Sequence, residues 1–210
     1  MQYKYITIEG NIGAGKTTLT HLLQKELNAK LILEQFADNP FLPKFYQDRS
    51  KYSFPLELSF LAERYKQLKE MLSNRDLFTE YIISDYLFIK SKLFAKVNLA
   101  DDEYKLYETL FDIIYPNLPQ PDLVIFLDAP LYKLRENIKL RNRDYEQNIK
   151  DDYLNQIQES YLQLIKSDTQ RTFIIDTSQT DFLNNQAQFQ QLLAYLQTDF
   201  PLGRHYLEFQ

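Results

Sequence analysis

The sequence predicts an α/β fold, a five-stranded parallel sheet flanked by helices, with a phosphate loop close to residue 10. Three observations carry that expectation. Short apolar runs alternate with stretches of helical periodicity, the order that builds a parallel sheet covered on both sides. Gly10, Gly15, Lys16 and Thr17 fit the G-x-x-x-x-G-K-S/T spacing. Leu123, Val124, Ile125, Phe126 and Leu127 form a nearly continuous apolar run, as a strand buried on both faces requires.

The run at 3–9 is apolar and β-branched and reads as a strand; Leu19, Leu22, Leu23 and Leu27 then recur at helical spacing over 16–28. Strand, glycine turn and helix N-terminus together suit an anion, because the helix dipole and its unpaired N–H groups face the phosphates. Glycine lets the backbone turn those N–H groups inward, Lys16 adds a positive charge, and the Thr17 hydroxyl is placed to ligand Mg²⁺. Three of the four glycines lie in this loop, so the chain is read as binding a nucleoside triphosphate.

A second strand is expected at 31–33, ending in Glu34, and a short helix carries Phe41, Leu42, Phe45 and Tyr46. Residues 54–72 read as a long helix with Leu56, Phe60, Leu61, Leu68 and Leu72 on its apolar face. The third strand is expected at 78–84, ending at Asp85, followed by helices at 86–97 and 101–115. Pro116, Pro119 and Pro121 punctuate the chain before the strand at 123–127. A helix at 130–140 leads into a charged segment at 141–150, and helix 151–167, strand 172–175 and helix 183–197 complete the reading. The tail after Pro201 receives no assignment.

The 210 residues are read as a single domain with a substantial core. Hydrophobic content of 44% and charged content of 25% are those of a soluble globular chain. A net charge of −5 argues against a nucleic-acid polymer as partner. No cysteine is present, so disulfides, thiolate chemistry and Cys-based zinc sites are excluded. No signal pattern and no membrane-length apolar run are seen, so no membrane is expected and the cytoplasm is the expected location.

In parallel sheets ligands collect beyond the carboxyl ends of the strands. That rule selects Glu34, Asp85 and Asp128 as candidates beside the phosphate loop. Asp128, which precedes Ala129 and Pro130, fits a turn or a helix cap. Glu34 and Asp85 have no evident capping role.

With these residues laid out, the sequence resembles the deoxynucleoside kinase family from Tyr3 to Phe182. The matches are the loop from Ile8 to Thr18, Glu34 followed by Asp38, Asn39, Pro40, Phe41 and Leu42, and then Phe45 and Tyr46. Further matches are Tyr52, Ser53, Phe54 and Glu57 with Arg64 seven residues later, Arg141, Arg143, Glu146 and Gln147, and more weakly Asp181 with Phe182. The resemblance implies a γ-phosphoryl transfer from ATP, with Mg²⁺, to the 5′-hydroxyl of a deoxynucleoside. Such transfer is mostly positioning and charge neutralisation.

The resemblance also implies roles. Glu34 matches the general base, and the donor-binding loop runs from Gly10 through Asn11, Ile12, Gly13, Ala14, Gly15, Lys16 and Thr17 to Thr18, with Asp181 near the donor. Arg141 and Arg143 match a mobile lid over 141–150, where guanidinium forks suit distributed phosphate charge. Tyr46 and Glu146 match the pair that holds the sugar 3′-hydroxyl, and a homodimer is expected.

Two departures stand out. Glu57 occupies a place where the family usually carries glutamine. Glutamine offers a base one donor and one acceptor, whereas an ionised glutamate only accepts. Guanine presents two adjacent donors, so Glu57 tilts the expectation toward guanine within a purine-leaning pocket. The rival reading is that Glu57 simply pairs with Arg64. The family also normally places an acidic residue and then an arginine after its third strand. Here Asp85 can take the acidic, metal-side role, but Tyr86 follows it. Lys90, Lys92 or another lid arginine then has to substitute, or turnover is slow or lost; otherwise both lysines read as surface residues.

Two rivals remain open. A thymidylate-like nucleoside monophosphate kinase shares the fold, but the missing arginine at Asp85 and the Tyr46 and Glu146 pair speak against it. A low-activity nucleotide-binding module derived from a kinase is supported by the missing arginine alone.

Overall fold

The computed structural model describes residues 2–35, 39–73, 80–167 and 169–210. Among them lie six strands, β1 (Tyr5–Gly10), β2 (Lys30–Ile32), β3 (Ile82–Ser84), β4 (Leu123–Asp128), β5 (Thr172–Asp176) and β6 (Arg204–Leu207). They pair in parallel in the order β2-β3-β1-β4-β5-β6. The flanking helices are α1 (Lys16–Leu27), α2 (Leu42–Gln47), α3 (Arg49–Ser73), α4 (Lys90–Asn98), α5 (Asp101–Ile114), α6 (Leu131–Arg141), α7 (Asp151–Ser167) and α8 (Gln186–Gln197).

The two central strands are the apolar ones. Every residue of β1 is buried, as are the first five of β4, so their side chains fill both faces. Full burial of each large apolar side chain contributes roughly 1.5–3 kcal/mol before chain entropy is counted. One core cluster joins Ile6, Ile8, Ile125 and Leu127 to Leu19, Leu134, Leu154, Phe173 and Leu192. A second packs Tyr86, Phe88, Tyr107 and Phe111 beside Leu61 and Leu68 of α3, with the Phe88 and Phe111 rings stacked at 5.3 Å. Among the described residues no helix is long and apolar enough to cross a membrane.

The sheet has six strands rather than the five expected. β6 pairs with β5 at an edge and buries only Leu207 well, so its four residues carry almost no apolar signal. Helix α3 begins at Arg49, five residues before the expected start, and continues through Pro55. Asp48 explains the earlier start: its Oδ1 accepts the Lys51 N–H at 3.2 Å, a cap for the first turn. Helix α8 begins at Gln186 because Asn185 caps it, accepting from the N–H groups of Ala187 and Gln188. Asp38, part of one sequence match, and residues 78 and 79 of the expected third strand lie outside the described residues, as does the Leu72 side chain.

Because all the strands are parallel, Gly10, Glu34, Asp85 and Asp128 emerge at one edge of the sheet. That edge is where the cavity opens.

Candidate active site

The phosphate loop is shaped by its glycines. Gly15 sits at φ +93° as the cap of α1 and brings no capping side chain, so the first N–H groups of the helix have no side-chain partner there. At Gly13, φ is +85° and a Cβ would stand 2.7 Å from the Leu134 carbonyl oxygen, because the loop presses directly on α6. The Asn137 Nδ2 donates to the Gly13 carbonyl at 2.7 Å and fixes that approach. Asn11 points its side chain away from the loop's mouth. Its Nδ2 donates to the Leu154 carbonyl at 2.8 Å and to Gln158 Oε1 at 3.0 Å, tying the loop to α7.

Lys16 Nζ donates to the carbonyls of Gly10 at 2.9 Å and Asn11 at 3.0 Å. Burial, and then the charge of Lys90, pull its pKa down to about 8. Thr17 Oγ1 donates to Asp85 Oδ2 at 2.8 Å, and Asp85 Oδ1 accepts the Glu34 backbone N–H at 2.7 Å. Asp85 therefore links the loop to the residue expected as general base.

Glu34 is held from both sides. Arg64 donates to its Oε1 from Nε at 2.8 Å and from Nη2, while Lys90 Nζ donates to its Oε2 at 2.9 Å. Burial would raise the Glu34 pKa, but the two cations drive it well below the usual carboxylate range. Arg64 also donates from Nη1 to Ser91 Oγ at 2.6 Å. It makes no hydrogen bond to Glu57, although the two groups attract through their charges, so the rival reading holds only as a longer-range pairing. Glu57 accepts instead from Asn98 Nδ2 at 2.7 Å, and its Oε2 is buried with no hydrogen-bond partner. Burial raises the Glu57 pKa to about 7, against the opposing pull of Asn98 and Arg64.

The lid arginines fold onto a single carboxylate. Arg141 donates to Glu146 Oε2 from Nε at 3.0 Å and Nη2 at 2.5 Å, and Arg143 Nη1 donates to Oε1 at 3.2 Å. Tyr46 lies beside them, its ring stacked on Tyr145 at 6.0 Å, and its pKa is raised by burial and then by Tyr153 and Glu146. The Asp181 carboxylate accepts from the N–H groups of Leu183 and Asn184. Asp128 is neither a turn residue nor a helix cap: it closes β4, its Oδ1 accepts from Gln158 Nε2 at 2.7 Å, and α6 is capped by Pro130 without a side-chain bond.

One cavity of about 850 Å³ joins these groups, lined by Gly13, Lys16 and Thr17, by Glu34, Arg64, Asp85 and Lys90, and by Glu57 and Asn98. Tyr46, Arg141, Arg143, Glu146 and Asp181 line the same space. The sequence profile of deoxynucleoside kinases matches residues 6–200. The chain belongs to the deoxynucleoside kinase family. It is therefore a phosphotransferase that acts on a nucleoside hydroxyl.

Among relatives of this kinase, the deoxyguanosine kinase of Bacillus subtilis is 34% identical over 197 residues, covering 91% of this chain and 95% of its own. The deoxyadenosine/deoxycytidine kinase of the same organism is 35% identical over 148 residues, 67% of each chain. Among solved structures, deoxyadenosine kinase from M. mycoides with products dCMP and a flexible dCDP bound superposes with a TM-score of 0.81 at 26% identity. That match covers 92% of this kinase and 98% of the other chain.

The kinase's oxygen donors fit Mg²⁺. Thr17 and Asp85 offer a hydroxyl and a carboxylate oxygen 2.8 Å apart. That pattern suits an ion that keeps waters and phosphate oxygens rather than one held in an all-protein cage.

Three members of the site were missed or left open by the sequence reading. Lys90 is 3% exposed, not a surface lysine, whereas Lys92 does lie toward solvent and pairs with Glu108 at 2.7 Å. Glu9 is buried at the end of β1, where it accepts from the Gly10 N–H, Tyr161 Oη and the Leu87 N–H. Its place just before the glycine loop was the one available signal. Asn98 is the third, and nothing in its local sequence marks it.

Proposed function

We propose that this kinase transfers the γ-phosphoryl group of ATP, with Mg²⁺, to the 5′-hydroxyl of a purine deoxynucleoside, and that deoxyguanosine is preferred. The observation that carries the preference is Glu57. Glu57 lines the cavity, its Oε2 is buried and has no partner, and Asn98 occupies Oε1. A buried polar atom without a partner is costly, and guanine N1–H and the 2-amino group are adjacent donors that would satisfy it. Adenine and cytosine each bring a donor beside an acceptor, and the acceptor would face a carboxylate oxygen. The similarity to a deoxyguanosine kinase over most of both chains supports the same reading.

The rest of the cavity supports the transfer itself. The loop N–H groups and Lys16 hold the β- and γ-phosphates, Thr17 and Asp85 hold the metal, and Glu34 accepts the hydroxyl proton. The metal, when bound, neutralises phosphate charge. Tyr46 and Glu146 take the sugar 3′-hydroxyl. Arg141 and Arg143 turn from Glu146 to the donor phosphates as the lid closes. Exposed Leu106, Leu110 and Ile113 form one face of α5 and support a homodimer.

Following ADP release with each deoxynucleoside and each deoxynucleoside monophosphate tests this reading. Turnover highest with deoxyguanosine is expected. Turnover with monophosphates alone would favour a monophosphate kinase, and binding without turnover a regulatory module.

A further inference from the structure

Lys90 is a charged side chain almost wholly withdrawn from water, at the first residue of α4. Its ammonium donates to Glu34 Oε2 at 2.9 Å and stands 4.0 Å from Glu9 Oε1. Burying such a charge is unfavourable unless it is compensated, and the two carboxylates provide that compensation. Neither carboxylate depends on Lys90 for its place. Glu9 is fixed by two backbone N–H groups and the Tyr161 hydroxyl. Arg64 fixes Glu34 through two donors on Oε1, and the Asp85 carboxylate fixes its backbone. As a purely structural element, a second cation on the other oxygen is redundant.

The two cations also differ in freedom. Arg64 is a planar fork with three donors engaged, two on Glu34 and one on Ser91. Lys90 has three donors on a flexible four-carbon stem, and only one of them makes a hydrogen bond, to Glu34. Lys90 is also close enough to Lys16 to lower that residue's proton affinity by repulsion. Two ammonium groups thus share a cavity, one on the loop that takes phosphates and one beside the carboxylate that meets the alcohol. On the kinase reading, the transferring phosphoryl group passes between those two positions.

We propose that Lys90 is a catalytic residue whose ammonium turns from Glu34 Oε2 onto the transferring phosphoryl group and neutralises its charge in the transition state. The inference rests on the kinase reading above. The 5′-oxygen bonds to the γ-phosphorus while the bond from that phosphorus to the β,γ-bridging oxygen breaks. The hydroxyl proton passes to Glu34, and ADP leaves with the bridging oxygen. Movement of Lys90 also bares Oε2 to accept the hydroxyl proton, while Arg64 keeps Oε1. Uniform binding of substrate and transition state would leave kcat unchanged, so the effect of Lys90 belongs in kcat rather than in nucleoside affinity.

The test compares Lys90→Met, Lys90→Arg and Lys90→Ala with the wild type at saturating ATP and deoxyguanosine, with a thermal melt of each. We expect kcat to fall at least about 100-fold in Lys90→Met, with the nucleoside KM within about threefold. Lys90→Arg retains a tenth or more of the wild-type rate, and Lys90→Ala regains rate saturably with added propylammonium. A Lys90→Met enzyme within threefold of wild type overturns the proposal. So does a Lys90→Arg rate as low as that of Lys90→Met together with no amine rescue. Should Lys90→Met fail to melt cooperatively, Lys90→Arg and the amine rescue decide between the outcomes. Wild-type enzyme inactive on every nucleoside would instead overturn the kinase reading, so the two failures are distinct.

Discussion

Asn98 Nδ2 donates to Glu57 Oε1 over 2.7 Å and thereby orients a buried carboxylate whose other oxygen has no partner. Arg64, Glu34, Lys90, Tyr107 and Tyr153 are the other charged or titratable groups around it, contributed by α3, the turn after β2, α4, α5 and α7. Burial sets the Glu57 pKa at about 7, so the group changes charge in the range where the enzyme is assayed. Ionised, it accepts from two donors; protonated, it presents one donor and one acceptor, as glutamine does.

Base preference therefore follows pH. Between pH 6 and pH 8 a group with this pKa goes from about one-tenth to about nine-tenths ionised. The ratio of kcat/KM for deoxyguanosine to that for deoxyadenosine should rise roughly tenfold over the interval. In Glu57→Gln the ratio should be lower and flat with pH. A wild-type ratio independent of pH, measured by competition between the two nucleosides, would count against this role for Glu57.

Stability follows pH in the opposite sense at the same residue. A carboxyl whose pKa rises on folding favours the native state while protonated, and that contribution disappears as pH climbs from about 4.5 through about 7. Glu57→Gln escapes the loss. At pH 8 the variant should be more stable than wild type by on the order of 3 kcal/mol, a margin that narrows toward pH 5. Urea unfolding at the two pH values measures it.

Glu34 carries the reverse sign. Its folded pKa lies well below the unfolded value, so its contribution is present above about pH 4.5 and is lost as pH falls further. Glu34→Gln should lower kcat at least about 100-fold, because the alcohol proton has no acceptor. It should also destabilise the protein by about 3 kcal/mol at pH 7, since Arg64 and Lys90 lose their anion. Steady-state kinetics and thermal melts read the two effects separately.

Gly13 gives a test of the loop alone. With φ at +85° and the Leu134 carbonyl 2.7 Å from any Cβ, Gly13→Ala should cost about 2 kcal/mol in stability. Displacement of the loop from α6 should weaken binding of a non-hydrolysable ATP analogue at least about tenfold, as calorimetry would show.

The sequence disclosed those parts of the molecule that are local. The loop from Gly10 to Thr17 has a fixed spacing because the phosphate cradle is made of consecutive backbone groups. β4 was evident because both of its faces are buried. What was not legible depends on meetings between distant segments. Lys90 sits in a helical stretch with other lysines, and only the convergence of β1, the turn after β2 and α4 draws it inward, to Glu9 and Glu34. Asn98 meets Glu57 across 41 residues of sequence. β6 escaped because a short edge strand with one well-buried side chain leaves no alternation to read. The carboxylates closing β2 and β3 were found by topology: a parallel sheet gathers such residues at one edge whatever their neighbours are.

The most direct test is to follow the γ-phosphoryl group itself. ATP carrying ¹⁸O in its γ-phosphate is incubated with deoxyguanosine and either wild-type enzyme or Glu34→Gln, and the products are analysed by mass spectrometry. Label is expected in the 5′-phosphate of deoxyguanosine monophosphate with the wild type, at a rate at least about 100-fold lower in the variant, if Glu34 accepts the proton during direct transfer. Label found only in inorganic phosphate, or transferred equally fast by both proteins, would contradict it.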